Sequence, residues 1–265
     1  MPIASLLIAL LGQTNPLPVG PPAPVAAFPS LTIQQRHDAC LDQATDNPAQ
    51  AERDAVAWRS QGGIFFARQC LGMAYANEGR WALAADEFAG AAQDAEVAHD
   101  QRAAHYWAQA GNAWLAAKEP AKARLTLDAA LAAGTLVGLQ RGEALFDHAR
   151  ALVLLGELEA ARADLDRALS LANADPLIWL SSATLARRMD DLPRARSDIA
   201  KAFELSADDP SVYVEIGNIA ALGSDETGAR NAWADAIRIA PASGAADLAR
   251  AALAQFEEPR KPANP

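Results

Sequence analysis

The chain has 265 residues, 51% hydrophobic but only 6% aromatic, and a formal net charge of −10. That length allows one or two conventional domains, or one solenoid of several repeats. The acidic balance argues against nucleic acid as a partner, since phosphates need a basic surface. The alanine behind the high apolar count favours close-packed helices over strands.

Residues 1–27 contain no Asp, Glu, Lys or Arg, and the apolar run Ile3–Leu11 leads into a Pro-rich passage ending Pro24-Val25-Ala26-Ala27. A bilayer-spanning helix needs about 20 apolar residues, so this run is too short to be one. It suits the core of a secretory signal peptide cleaved after small residues, although no Lys or Arg precedes it. The expectation is an exported protein, periplasmic or secreted. The alternative is a cytoplasmic chain with a disordered arm at 1–27. Arginine greatly outnumbers lysine, which points to a bacterial gene.

Residues 28–63 read as a degenerate helix pair, Ile33–Ala44 then Pro48–Ser60. Asn47-Pro48 supplies a cap followed by proline in the first turn. The two cysteines are Cys40 and Cys70, with no Cys-x-x-Cys motif. They fit either a bridge formed in an oxidising compartment or two separate buried thiols.

From residue 64 to 241 one pattern recurs: a small residue among bulky ones, then Ala-x-x-x-bulky-x-x-Ala. Gly72 is followed by Ala84, Phe88 and Ala91, and Gly111 by Ala123, Leu127 and Ala130. Ala149 precedes Ala161, Leu165 and Ala168; Ala183 precedes Ala195, Ile199 and Ala202; Gly217 precedes Ala229, Trp233 and Ala236. The steps from Gly72 to Gly111, Ala149, Ala183 and Gly217 are 39, 38, 34 and 34 residues. The first two junctions therefore need different turns or helix ends. Asp175-Pro176 and Asp209-Pro210 start new helices. Gly79 and Gly156 mark turns inside a pair, where Lys118, Asp190 and Ser224 replace them. Residues 242–258 read as a capping helix with Leu248, Ala252, Leu253 and Phe256 on its packing face, and 259–265 as a disordered tail.

The residue types and the final period of about 34 resemble the tetratricopeptide-repeat (TPR) family. The resemblance covers residues 64–241 in five copies. It implies an all-α, right-handed superhelical α-solenoid in which the first helix of each pair lines a concave groove for a protein or peptide. First helices are neighbours in such stacks, so the resemblance makes a Cys40–Cys70 bridge plausible. Closing that loop would add about 3 kcal/mol.

Carried over position by position, the partner-binding groove comprises Gln69, Met73, Asn112, Phe146, Arg150, Thr184, Arg187, Arg188 and Asn218. Asn112 and Asn218 stand where members hold a ligand's backbone or carboxylate, because an amide both donates and accepts. Arg150 and Arg187 would make the groove locally positive. The clamp that some members use for C-terminal carboxylates needs lysines, and the comparable places hold Ala108 and Phe146. Tyr75, Trp107, Trp114 and Trp179 occupy packing positions.

No phosphate-binding Gly-rich loop, H-E-x-x-H or nucleophile elbow occurs. Asp190-Asp191 and Asp208-Asp209 fall at turns, where acids cap helices. His37, His99, His105 and His148 have no metal-ligand spacing. The expectation is a non-catalytic interaction scaffold without cofactor or metal. The alternatives are a cytoplasmic adaptor or co-chaperone, or a structural protein that self-associates into a homo-oligomer.

Overall fold

The computed structural model describes residues 31–257, which form thirteen α-helices and no strand. They are α1 Ile33–Asp46, α2 Pro48–Ser60, α3 Ile64–Asn77, α4 Trp81–Val97, α5 Ala103–Ala116, α6 Pro120–Ala132 and α7 Gly138–Leu155. Then come α8 Leu158–Leu171, α9 Pro176–Arg188, α10 Leu192–Leu205, α11 Pro210–Leu222, α12 Glu226–Ile239 and α13 Gly244–Glu257. The signal-peptide reading of 1–27 and the tail at 259–265 lie outside the described residues. No described helix is long and apolar enough to cross a membrane.

Successive helices pair from α3/α4 to α11/α12, and each pair stacks on the next, giving an all-α helical-repeat solenoid. Neither helix of a pair buries its apolar stripe alone, so stacking supplies the core. The small residue of the first helix admits the bulky residue of the second. A Cβ on Gly72 would lie 2.6 Å from the Phe88 ring, and one on Gly111 would lie 2.3 Å from Leu127 Cγ. At Gly217 it would lie 2.3 Å from the Trp233 indole nitrogen. Phe88 thus covers the glycine of its own pair while also meeting Ala110, Ala113 and Trp114 of the next. Each such fully buried large side chain contributes about 1.5–3 kcal/mol.

Caps start the helices where the sequence places them. The Asp175 and Asp209 carboxylates accept from the amides of Leu177 and Ser211, both at 2.8 Å, and Asn47 caps α2 ahead of Pro48. The pair turns are left-handed at Gly79 and Gly156, with φ of 73° and 83°. Lys118, Asp190 and Ser224 take the same conformation at 61°, 61° and 62°. The turn geometry survives without glycine, at a steric cost to each side chain.

The long first steps go largely into helix. The second helix α4 has 17 residues where α10 and α12 have 14. Its added turn buries Ala95 beside Ala91 and Ala92, against Phe65, Ala103 and Tyr106. The second long step lengthens α7 to 18 residues and seats Leu136 of the preceding loop in a small core with Ala104, Ala130 and Ala144. At the amino-terminal end a disulfide joins Cys40 of α1 to Cys70 of α3, both buried, with Cα atoms 5.9 Å apart. At the other end α13 buries Ala246 and Ala249 and packs Ala252, Leu253 and Phe256 against the core around Trp233. Leu248 departs from the sequence expectation: it is 64% exposed, because it points to the side lined by the first helices.

Candidate functional site

The first helices α5, α7, α9 and α11, followed by α13, line one side of the solenoid. Three depressions lie between them. One, of about 150 Å³, sits between α5 and α7 and includes His105, Ala108, Asn112, Glu143 and Asp147. A second, of about 400 Å³, sits between α7 and α9 over Leu165 of α8. A third, of about 210 Å³, sits among α9, α11 and α13. The last two share Leu180 and Thr184 of α9 as a common wall, so they lie side by side as an interrupted trough from α7 to α13.

An apolar residue recurs along this side at one position per repeat: Phe146, Leu180, Val214 and Leu248, spaced 34 residues apart. Phe146 and Leu180 are half-buried, Val214 is buried and Leu248 is exposed. Of these only Phe146 belongs to the sequence-derived groove set. Extending its register by the repeat period finds the others.

The polar members of that set divide by what they already hold. Gln69 is buried; its carbonyl oxygen lies 2.8 Å from His37 Nε2 and its amide donates to Gln109 at 3.1 Å. It ties α1, α3 and α5 together and offers no free group at the surface. Met73 is half-buried, packed against the first two repeat cores. Asn112 is exposed and donates to Asp147 at 2.8 Å. Arg150 donates to the other oxygen of Asp147 at 2.7 Å and lies 5.7 Å from the Phe146 ring centroid. Arg187 donates from Nε and Nη2 to the two carboxylate oxygens of buried Glu215, at 2.6 and 3.2 Å. Asn218 donates to Glu215 at 3.3 Å and accepts from Trp233. Thr184 returns its hydroxyl to the Leu180 carbonyl. Arg188 is exposed, and no hydrogen bond or ion pair engages it among the described residues.

The expected positive groove is therefore largely compensated from within. Asp147 neutralises Arg150 and Glu215 neutralises Arg187, and sequence reasoning missed both acids. His105 beside the first depression has its pKa lowered by burial, against the opposing pull of Glu143, so the ring is neutral at pH 7. No group of three or more His, Cys, Asp or Glu is placed to hold a metal ion among the described residues.

A stacked array of helix pairs with a lined inner face defines the α-solenoid class of repeat proteins. The fold is that of the tetratricopeptide-repeat proteins, as solved structures show. PilW, a type IV pilus biogenesis factor, aligns at a TM-score of 0.68 and 17% identity over 83% of this chain and 99% of its own. PilF of Pseudomonas aeruginosa aligns at 0.66 and 17% over 84% of this chain and 99% of its own. YrrB, described as a TPR protein with an unusual peptide-binding site, aligns at 0.55 and 20% over 71% and 91%. No family profile matches the sequence, and no curated protein matches it in sequence.

Proposed function

We propose that this chain is a non-catalytic scaffold that holds a peptide or protein segment against its concave, first-helix side. The observation that carries the reading is the trough from α7 to α13, where Leu180, Val214 and Leu248 repeat in register beneath polar rims. Aligned apolar depressions with few polar groups are what a protein segment needs to bury side chains in register. The likeness to YrrB, whose description names a peptide-binding site, supports the same use of the fold.

The proposed place of action is a bacterial cell envelope. The Cys40–Cys70 bridge suits an oxidising compartment, and the uncharged apolar start of the sequence suits export. Sequencing the amino terminus of the protein isolated from its own cells tests the export part. Removal of the first residues is expected, and an intact Met1 would contradict it.

Site-specific photo-crosslinking in those cells tests the groove. A benzophenone side chain placed at exposed Leu154 or Leu248 of the trough is expected to give a discrete adduct. The same group at exposed Val97 of α4 or Leu125 of α6 is expected to give none. Equal adducts from the second helices would move the binding surface off this side.

A further inference from the structure

Among the described residues, polar side chains tie the first helices α1 to α11 together at every junction except that between α7 and α9; α13 docks on α11 without one. His37, Gln69 and Gln109 link α1 to α3 to α5; Asn112 links α5 to α7; Arg187 links α9 to α11. Between α7 and α9 no hydrogen bond or ion pair crosses among the described residues. There the largest of the three depressions opens instead, about 400 Å³ lined by Val153, Leu154, Leu165, Leu180 and Leu185. That volume lies in the usual range for ligand pockets, about 300–1,000 Å³.

Its rim carries Arg150 and Arg188. Arg188 is unpaired, and Arg150 keeps 46% side-chain exposure despite its bond to Asp147. The depressions on either side carry acids: Glu143 and Asp147 in one, Glu215 in the other. The α7/α9 pocket is thus the place on this face where an apolar cavity meets an unspent guanidinium. A guanidinium in that setting pairs with a carboxylate through two parallel N–H donors.

We infer that this pocket anchors the partner through a bulky aliphatic side chain, with a neighbouring Asp or Glu of the same segment on Arg188. The inference rests on the groove reading above and specifies its ligand: an acidic amphipathic stretch within a protein. An internal stretch fits better than a chain terminus. The trough continues past Leu180 and Thr184 to Val214 and exposed Leu248, which a segment passing onward would cover. Apolar anchors at i, i+3, i+4 and i+7 of a bound helix would meet such a row of pockets.

The test uses a labelled amphipathic peptide of about 15 residues, blocked at both ends, with leucines on one face and glutamates beside them. Fluorescence anisotropy compares it with a version carrying lysine for every glutamate and with a version ending in a free carboxylate. The blocked acidic peptide is expected to bind and the lysine version to bind more weakly. Arg188→Glu should weaken the acidic peptide by about fivefold to tenfold, since an exposed ion pair and its reversal carry about 1 kcal/mol, with only a small drop in melting temperature from reversing a charge in the last turn of α9. Leu154→Asp, at the exposed mouth of the pocket, should weaken it as well.

Equal binding of acidic and lysine peptides, or no response to Arg188→Glu, would overturn the carboxylate assignment while leaving the groove reading in place. Binding only by the free-carboxylate version would overturn the internal-segment assignment. Failure of all three peptides to bind would overturn the anchor itself. If Arg124→Glu on the second helix α6 weakened binding as much as Arg188→Glu, the groove reading would fall too.

Discussion

The two halves of this solenoid are held together by different means. From α1 to α7 the junctions depart from the repeat period, and the departures become packing: α4 lies along α5 as closely as it lies along its own partner α3. An aromatic cluster of Trp58, Phe65, Phe66 and Tyr106 fills the amino-terminal junctions, with Arg102 stacked on both phenylalanines, and the disulfide fixes α1. From α8 onward the period is regular, and α8 touches α9, and α10 touches α11, over much shorter stretches. Where the repeat is most regular the inner face is most open, and there the aliphatic trough lies.

Removing the disulfide should have the largest effect. Replacing Cys40 and Cys70 together with alanine is expected to cost about 3 kcal/mol, by freeing a loop of some 30 residues in the unfolded chain. The loss should fall on α1 and α2 first, because stability in a repeat array is local. Chemical denaturation followed by a probe in each half checks this. A uniform loss along the array would mean the two halves are not distinct.

Next comes the polar tie that joins α9 to α11. Arg187→Ala leaves the buried Glu215 carboxylate without its bidentate partner. Removing one partner of a fully buried pair costs about 3–5 kcal/mol; with Arg187 partly solvated, about 2 kcal/mol is expected. A melting curve unchanged by Arg187→Ala would show the C-terminal half does not depend on this contact. The position therefore cannot serve as a neutral binding mutation, whereas exposed, unpaired Arg188 can.

A smaller change should have the opposite sign. Ser224→Gly relieves a left-handed turn and is expected to stabilise the last pair by about 0.5–1 kcal/mol, after glycine's own entropic cost. A lowered melting temperature would mean Ser224 makes a contribution that its φ of 62° conceals.

The last prediction is a dependence on pH. Burial lowers the pKa of His37, against weaker opposition from its bond to Gln69. A lowered folded-state pKa means the unfolded chain binds the proton more readily. The stabilisation is then complete above the unfolded value of about 6.5 and is lost as the pH falls below it. Thermal melts at pH 7.5 and near pH 5 should show this loss, and His37→Asn should reduce it. An unchanged slope in His37→Asn would assign the effect elsewhere.

Much of the fold was legible in the sequence because its causes are local or periodic. The small-to-bulky pairing, the Asp-Pro helix starts and the turn positions each follow from a few neighbouring residues. Where the extra residues at the first two junctions go was not legible, since turn and helix extension satisfy the same spacing. Only the docking of Ala95 against Phe65 and Tyr106 decides for helix. The site was less legible, for a different reason. Register tells which face Arg150, Arg187 and Asn218 occupy, but not that Asp147 and Glu215 wait there to bind them. The same register, run on from Phe146, does reach Leu180, Val214 and Leu248. Leu248 was misplaced because α13 has apolar residues all along one side, and a helical wheel cannot separate the packed edge from the open one.

Hydrogen exchange of the full chain, resolved by peptide mass, tests the contrast between the halves most directly. Amides open with free energies set by the local packing around them. Exchange is expected to be slowest in α3, α4 and α5, and faster in α9, α11 and α13, where the trough lies. Equal protection along the array, or slower exchange in the C-terminal pairs than in α3 to α5, would contradict that contrast.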